Sequence, residues 1–470
     1  MSCPAGSPAG GNGLPLAALL ALLLTGCGAT ARLLGAPEPP LPLPPGIEVA
    51  FNHRADGRYR SPIDGHWRAG DNLEALLIQS IDAARHDIVV AVQELSLPGV
   101  ARALIRRQQQ GVRVRVVLEN TYSTPWSEQH PVDLPPHLRH RQTQLRALGW
   151  GDAVALLRDS RVPMLDDTAD GSAGSGLMHH KFMVVDGSVV VTGSANFTPS
   201  CIHGDPDDPR TRGNVNHLLR IRSAALAQVF LREFERLWGD GPGGAPDSRF
   251  GIGKGGGGVQ RVLVQDTPVQ VLFAPHRRSD PDNGLHWLEQ LLGQAHRRID
   301  MALFVFSAQN LADGLAVGRA RSVSIRLLAD PGFAHRSFSE VLDLLGVALP
   351  DRRCKIETDN RRWGQALASV GVPRLAGGDK LHHKFAVIDE RRVITGSFNW
   401  SPSAAHQNDE TLLVFDSPLL ARHFSRESER LWRGAELGIT PALQRRIERL
   451  RRSCGSIATS TIQGESETEP

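Results

Sequence analysis

The sequence predicts an α/β protein built from two tandem α/β domains, each with a mixed central sheet that is largely buried. Two observations lead to this prediction. Strand-like apolar runs alternate with helical patterns along most of the chain, which is typical of layered α/β domains. The same series of patterns also occurs twice within the 470 residues, at a period far longer than that of a solenoid repeat. A duplicated domain explains such a period.

The most informative repeat is a polar signature around two short apolar runs. It reads HHKFMVVDGSVVVTGSANFTPS from His179 to Ser200, and HHKFAVIDERRVITGSFNWSPS from His382 to Ser403. At identical spacing the two copies share His179, Lys181, Asp186, Gly193, Ser194 and Asn196 in the first, and His382, Lys384, Asp389, Gly396, Ser397 and Asn399 in the second. A turn separates the two apolar runs of each copy, which predicts a β-hairpin.

Each hairpin gathers groups that can bind a phosphate. Alternation along the first strand places the His and the Lys, two residues apart, on the same face. The Ser and the Asn of the returning segment are also two residues apart and share a face. The Lys then supplies a positive charge, and the Ser and Asn supply hydrogen-bond donors.

Two such clusters placed face to face can break a phosphodiester. One neutral imidazole attacks phosphorus and forms a phosphohistidine, while the other donates a proton to the leaving oxygen and then activates water or an alcohol. The paired lysines and asparagines stabilise the charge on the phosphoryl oxygens. This chemistry needs no metal or other cofactor, and neither motif offers a metal cage.

The pattern His-x-Lys followed by four residues and Asp resembles the HKD motif of the phospholipase D superfamily. The resemblance covers the chain from Ile47 to Gly434 and implies two halves with the active site at their seam. The catalytic residues that it implies are His179, Lys181, Asp186, His382, Lys384 and Asp389. The residues expected to bind or support the phosphate are Ser194, Asn196, Ser397 and Asn399. The superfamily commonly uses the His of the N-terminal motif as nucleophile, which here is His179.

The two halves differ after the motif Asn. Glu410 stands where the superfamily commonly has an acid that orients the motif histidine, and we expect it to support His382. The first half has Asn216 at the aligned place, after a longer insertion. His179 is therefore expected to use Asn216 or an acid of that insertion: Asp205, Asp207 or Asp208. The asymmetry leaves His382 as the alternative nucleophile.

Composition predicts the domain boundaries. These are a lipoprotein signal peptide (1–26), a Pro-rich linker (27–46), domain 1 (47–240), a flexible Gly-rich linker (241–260), domain 2 (261–435), and a short basic helix with a disordered tail (436–470). The GKGGGG run of the Gly-rich linker is not a phosphate loop, because Gly255 follows Lys254 where Ser or Thr would be required.

The N-terminus predicts where the protein works. Leu14 to Leu24 is an apolar run too short to cross a bilayer, and it ends in Leu-Thr-Gly-Cys27. This resembles a bacterial lipobox and implies cleavage before Cys27, lipidation of its thiol, and a membrane-anchored lipoprotein on the periplasmic face or cell surface. A Cys201–Cys354 bridge would be compatible with an oxidising periplasm, although nothing in the sequence argues for it.

The expected function is that of a phospholipase D-type phosphodiesterase that hydrolyses a phospholipid. A lipid-anchored enzyme meets phospholipids at high local concentration, whereas a net charge of +3 and an aromatic content of 5% do not indicate a nucleic-acid coat. The alternatives are an extracytoplasmic nuclease with the same chemistry, a cardiolipin synthase-like phosphatidyltransferase, and an inactive binding lipoprotein. We expect a monomer with two pseudo-symmetric halves.

Overall fold

A computed structural model of the chain describes residues 40–134, 136–171 and 176–455. The predicted signal peptide, its lipidation residue Cys27, the first part of the Pro-rich linker and the end of the C-terminal tail lie outside the described residues. In the part that is described, no helix is both long enough and apolar enough to cross a membrane.

The first half contains nine strands and six helices among the described residues. Its strands are β1 (Ile47–Phe51), β2 (Arg58–Arg60), β3 (Trp67–Ala69), β4 (Asp87–Val92), β5 (Arg113–Leu118), β6 (Met164–Asp166), β7 (Lys181–Val185), β8 (Val189–Gly193) and β9 (His217–Arg222). Its helices are α1 (Leu73–Asp82), α2 (Pro98–Gln109), α3 (Pro136–Ala147), α4 (Ala153–Asp159), α5 (Pro199–Ile202) and α6 (Ala224–Trp238).

The second half repeats this series with small changes. Its strands are β10 (Gln260–Val264), β11 (Thr267–Ala274), β12 (Arg298–Leu303), β13 (Ser324–Ala329), β14 (Val370–Val372), β15 (Lys384–Ile388), β16 (Arg392–Gly396), β17 (Glu410–Asp416) and β18 (Glu436–Leu437). Its helices are α7 (Gly284–Gly293), α8 (Gln309–Ala320), α9 (Glu340–Leu344), α10 (Pro402–His406) and α11 (Pro418–Trp432), followed by α12 (Pro441–Cys454).

Each half contains a large mixed sheet, as predicted. The first has the order β1-β9-β8-β7-β4-β5-β6, and the second β10-β11-β17-β16-β15-β12-β13-β14-β18. Strands β4 to β6 and strands β12 to β14 form the parallel part of each sheet, and most of the other neighbours are antiparallel. The central strands β7 and β15 are buried along their whole length and are apolar after their first residue, as expected of strands that are covered on both faces. The predicted fold class is therefore confirmed.

Both polar signatures form the predicted hairpins. Strand β7 pairs with β8 up to Val185 opposite Val189, and β15 pairs with β16 up to Ile388 opposite Arg392. The motif aspartates begin the turns with positive φ angles, 48° at Asp186 and 53° at Asp389. Asp tolerates this left-handed conformation better than most side chains do.

The two halves share one buried apolar cluster and meet near their motifs. Phe182 and Phe230 of the first half belong to the same cluster as Phe385 and Phe424 of the second. Short bridges connect the segment before each motif to the other half: Met178 pairs with Asp409, and Val215 pairs with Leu381. The start of β17 is thereby placed beside His179, and the start of β9 beside His382.

Part of the Gly-rich linker differs from the flexible tether that composition predicted. A 3-10 turn, Gly251–Lys254, lies against the seam, with the Phe250 and Lys254 side chains buried. The reason is electrostatic, because Lys254 reaches two carboxylates described below. Downstream, a disulfide joins Cys354 to Cys454 at the end of α12, while Cys201 is a free, buried thiol. The Cys201–Cys354 bridge is therefore not formed.

Candidate active site

The two motif lysines lie at the starts of the inner strands β7 and β15 and are almost fully buried. Nζ of Lys181 donates to the carbonyl of His179 at 2.8 Å, and Nζ of Lys384 donates to the carbonyl of His382 at 2.7 Å. Burial lowers the pKa of Lys181 to about 8. Burial also holds the pKa of Lys384 well below its usual value, and the nearby charge of Lys181 lowers it further. Two buried lysines whose charges act on each other are suited to binding an anion.

The two motif histidines lie together between the halves. Each side chain is nearly buried, and burial sets the pKa of both His179 and His382 well below the usual value. Lys181 and Lys384 also lower the pKa of each motif histidine, and His179 contributes to the low pKa of His382. Both imidazoles are therefore neutral in the empty site, which is the state that a nucleophile requires.

Each motif histidine takes its partner from the other half. Oε1 of Glu410 lies 2.7 Å from Nδ1 of His179, and Oδ1 of Asn216 lies 2.9 Å from Nδ1 of His382. The prediction that Glu410 supports His382 is therefore wrong, and so is the prediction that His179 uses Asn216, Asp205, Asp207 or Asp208. The bridges between the halves explain the exchange, because they seat the residue before Glu410 against the residue before His179.

The motif serines support these partners. Oγ of Ser397 donates to Oε2 of Glu410 at 2.5 Å, and Oγ of Ser194 donates to Oδ1 of Asn216 at 2.8 Å. Burial raises the pKa of Glu410 to about 7, although Lys181 and Ser397 act against the rise. Because each hydroxyl proton is used on an orienting residue, the expected donation from the serines to a phosphate is corrected to a supporting role.

The motif asparagines keep unused hydrogen-bonding capacity at the site. Nδ2 of Asn196 donates to Oε1 of Gln93 at 3.2 Å, and Nζ of Lys181 lies 3.4 Å from the same oxygen. Among the described residues, Oδ1 of Asn196 and Oδ1 of Asn399 have no hydrogen-bond partner. Buried polar atoms usually find a partner, so these two carbonyl oxygens could accept a hydrogen bond from a donor. A phosphoryl oxygen would instead be bound by the Nδ2 groups, which are the donors of the two amides.

Two residues next to the histidines escaped sequence reasoning, and they make the site asymmetric. Gln93 follows β4, and Phe304 occupies the matching place after β12. The ring of Phe304 lies 4.8 Å from that of His382, and Nζ of Lys384 lies 5.0 Å from the Phe304 ring centroid. The only signal in the sequence was the position of both residues just after matching strands of the repeat.

The motif aspartates lie outside the site, contrary to the catalytic role that the resemblance implied. The Asp186 carboxylate accepts the backbone N–H groups of residues 85–87 at 2.7–3.0 Å. The Asp389 carboxylate accepts those of residues 296–298 at 2.8–2.9 Å. Partial burial opposes ionisation, but the amide donors outweigh it and lower the pKa of both carboxyls. Their role is to fasten each hairpin to the strand beside it.

Each motif histidine is followed by a second histidine, which contacts a buried glutamate. Nε2 of His180 contacts Oε1 of Glu233 at 3.1 Å, and Nε2 of His383 contacts Oε1 of Glu427 at 3.0 Å. The two glutamates hold the same place in the matching helix sequences FLREFERLW and FSRESERLW. Comparison of these repeats was the signal that could have found them.

Lys254 of the linker supplies a cation beside Glu233, and Arg430 supplies one beside Glu427. The Lys254 ammonium pairs with Glu233, lies 2.7 Å from Oδ1 of Asp409, and donates to the carbonyl of Ala274 at 2.8 Å. His180, Glu233 and Asp409 lie close enough to hold a metal ion, but the lysine already supplies a cation to both carboxylates. The Asp409 carbonyl also accepts the His179 N–H at 3.0 Å, so Lys254 holds the segment that carries Glu410 against His179.

Comparison with known proteins agrees with this geometry. The family described as cardiolipin synthase, PLD-like domain, matches residues 77–238 and 288–432, which together exceed half of the chain and contain both motifs. The protein belongs to the phospholipase D superfamily. Within it, both matched segments contribute a His, a Lys and an orienting residue to the one site described above.

Sequence identity to individual superfamily members is low. A mitochondrial cardiolipin hydrolase of Xenopus tropicalis is 29% identical over 182 residues, which are 37% of this chain and 77% of that protein. A phospholipase D of Rickettsia conorii is 28% identical over 156 residues, 33% of this chain and 65% of that protein. The crystal structure of a phosphatidylserine synthase of Haemophilus influenzae has a TM-score of 0.55 at 13% identity, covering 91% of this chain and 98% of that one, and shows the fold alone. The superfamily and its named members support a phosphodiesterase as the general class.

Proposed function

We propose that the protein is a phospholipase D-type phosphodiesterase that hydrolyses a phospholipid through a phosphohistidine on His179. The observation that carries the proposal is the 2.7 Å contact between Glu410 and Nδ1 of His179. A carboxylate at Nδ1 leaves Nε2 free to attack and stabilises the positive charge that the ring gains when it is phosphorylated. The neutral amide of Asn216 gives His382 no such charge stabilisation, which suits a proton donor.

In the first step, Nε2 of His179 forms a bond to phosphorus as the bond to the leaving oxygen breaks. His382 donates its Nε2 proton to that oxygen. The bound phosphodiester is an anion, so it favours protonation of His382 against the two lysines that otherwise keep the ring neutral. Lys181, Lys384, Asn196 and Asn399 contact the remaining phosphoryl oxygens.

In the second step, His382 accepts a proton from water as the water oxygen attacks phosphorus. The phosphorus–nitrogen bond breaks, and the free imidazole of His179 and a phosphomonoester result. The same step with an alcohol in place of water would be a phosphatidyl transfer, and the proposal assigns water. The complete set of buried motif residues argues against an inactive binding lipoprotein.

A phospholipid is the proposed substrate because the cardiolipin hydrolase and phospholipase D relatives are named for lipids, and because the protein is proposed to be a lipoprotein anchored through Cys27. The Cys354–Cys454 disulfide supports an extracytoplasmic location, since disulfides persist in oxidising compartments. A Cys27→Ser protein should lose lipid labelling and move from the membrane to the soluble fraction. Membrane retention of the unlabelled Cys27→Ser protein would contradict the proposed anchor.

The proposed reaction is tested by offering the purified protein labelled phospholipids and single- and double-stranded DNA, with and without added alcohol. We expect release of head group and formation of phosphatidic acid, abolished in His179→Asn and in His382→Asn. His286→Asn changes an exposed histidine on α7 and serves as the matched control. Cleavage of DNA alone would establish the nuclease, and a phosphatidyl alcohol as the main product would establish the transferase.

A further inference from the structure

A cavity of about 130 Å³ lies beside the candidate active site, in the segment between β5 and α4. Most of its wall is apolar or aromatic, and the main contributors are Tyr122, Trp126, Leu138, Leu145, Trp150 and Val154. A dry core cavity of about 150 Å³ holds a molecule the size of benzene. This cavity therefore has room for a short stretch of an apolar chain.

Helix α3 forms one wall of the cavity. Leu138, Arg141, Gln142 and Leu145 line it, and their spacing of three, four and seven residues places them on one face of the helix. Across its length α3 contains three arginines and no acidic residue. The positive charge of α3 favours its association with an anionic lipid surface.

The cavity wall is continuous with the phosphate-binding side of the candidate site. Glu94 lines the cavity and directly follows Gln93, which contacts both Lys181 and Asn196. The carbonyl of Glu94 accepts the N–H of Phe197, the residue after Asn196, at 3.0 Å. A ligand whose phosphate lies between the motifs would thus have its adjoining part at the cavity.

The surface around the cavity is unusually apolar. Tyr122 and Leu138, which line the cavity, are each 38% exposed, and two residues near them in sequence, Val132 and Leu148, are 70% and 55% exposed. In the matching segment of the second half, between β13 and β14, the leucines at 342, 344, 345, 349 and 367 are buried. Phe338 of that segment is also 38% exposed, so apolar exposure is greater in the first half but is not confined to it.

We propose that this cavity is an acyl-chain site, which takes part of an apolar chain of the phospholipid whose phosphate is cleaved between His179 and His382. The inference rests on the proposed function and deepens it. Exposed apolar residues at the opening receive the chain from a lipid surface, and the exposed Arg139 and Arg146 of α3 bind the phosphates of neighbouring lipids. The apolar wall favours a chain over the polar backbone of a nucleic acid.

A binding experiment tests the site without requiring turnover. Phosphatidylglycerol with brominated acyl chains, presented in detergent micelles, should quench the fluorescence of Trp126 and Trp150. The loss of quenching should be large in a Trp126→Phe, Trp150→Phe protein and small in Trp67→Phe, which removes an exposed indole in the β2–β3 sheet. Equal quenching of the wild type, the Trp126→Phe, Trp150→Phe protein and Trp67→Phe would overturn the acyl-chain site.

A kinetic experiment tests whether the chain contributes to substrate binding. Thr124 is exposed and lines the cavity, so Thr124→Trp fills it from the solvent side, and Val317→Trp adds the same ring at an exposed position of α8. Thr124→Trp should raise KM for dioleoyl-phosphatidylglycerol about tenfold, since one or two methylenes kept out of an apolar pocket cost that much. Thr124→Trp should change KM for the dihexanoyl lipid and for bis(4-nitrophenyl) phosphate less than twofold. Val317→Trp should leave KM unchanged for all three substrates.

The outcomes separate this inference from the proposed function. If the phospholipid is cleaved but Thr124→Trp affects all three substrates equally, the cavity is only structural and the inference fails while the function stands. If the brominated lipid quenches but only DNA is cleaved, the cavity binds a lipid that is not the substrate, and both the proposed substrate and the acyl-chain role in its binding fail. A KM increase for DNA alone would place a base in the cavity and overturn the acyl-chain assignment.

Discussion

Glu410 and Asn216 hold matching places in the two halves, and each contacts the motif histidine of the opposite half. This exchange bears on which histidine is the nucleophile. The order of the motifs indicated His179, and the carboxylate now stands at the same ring. His179 is the expected nucleophile on both counts.

The first prediction concerns Glu410. Glu410→Gln keeps the shape of the side chain but removes the charge that stabilises phosphorylated His179, so kcat should fall about a hundredfold. Asn216→Ala should lower kcat less, because an amide contributes no charge. Steady-state kinetics on a labelled phospholipid measure both, and a larger loss in Asn216→Ala would reverse the two histidine roles.

The pH profile provides a second test of the same carboxylate. The pKa of Glu410 is raised to about 7, and the residue acts only when ionised. Activity should therefore rise with pH through about 7 in the wild type. This acidic limb should be absent from Glu410→Gln. An unchanged limb in the variant would assign the titration to another group.

Trapping the intermediate tests the nucleophile directly. In His382→Asn, a substrate with a nitrophenolate leaving group needs little acid help, so a labelled phosphoryl group should accumulate on His179 because no base activates water. The mirror variant His179→Asn should retain no label. Mass spectrometry locates the label, and a phosphorylated His382 in the second variant would contradict the assignment.

Lys181 should set the alkaline limit of substrate binding. Its pKa is lowered to about 8 in the empty site, so its positive charge is present below that pH and is lost as the pH rises through it. KM should therefore increase above about pH 8, and a bound anion should move the transition upward. Titration of inorganic phosphate binding against pH measures this. In Lys181→Met the transition should vanish, and its persistence there would exclude Lys181.

The motif aspartates should matter for stability rather than chemistry. Asp186→Asn replaces a carboxylate that accepts three backbone N–H groups, so the free energy of unfolding should fall by about 1–3 kcal/mol. Since the folded-state pKa is lowered, the stabilisation is present above the unfolded-state pKa and is lost as pH falls through the folded one. Urea unfolding and kcat of the folded fraction measure the two effects. A catalytic loss without a stability loss would restore the role first expected.

Lys254 should be essential to the seam although it lies in a Gly-rich linker. Lys254→Met removes the buried cation that bridges Glu233 and Asp409 and leaves Glu233 with the longer contact to Arg236, which should cost about 3–5 kcal/mol of unfolding free energy. Lys355→Met changes an exposed lysine and should have little effect. Chemical denaturation of both variants provides the comparison. Equal stability would show that the two acids are neutral.

The local parts of the site were predictable from sequence, and the parts that depend on the meeting of the halves were not. The His and Lys of each motif follow from strand alternation, and both hairpins formed as predicted. The exchange of Glu410 and Asn216 depends on bridges between residues far apart in the chain, which no local pattern encodes. Lys254 was missed for a similar reason, because its partners come from α6 and from the start of β17. Gln93 and Phe304 carry no pattern beyond their place after a strand.

The exchanged partners have a consequence for how the protein could be divided. A homodimer of single-motif chains related by a two-fold axis would have the same reciprocal contacts, with each subunit supporting the histidine of its twin. This chain has the same reciprocal arrangement, with an acid at one of the two equivalent places and an amide at the other. Expressed apart, the fragment ending after α6 would lack the carboxylate for its own nucleophile, and the remaining fragment would carry that carboxylate with no nucleophile to serve. Activity should thus return only when both fragments reassociate.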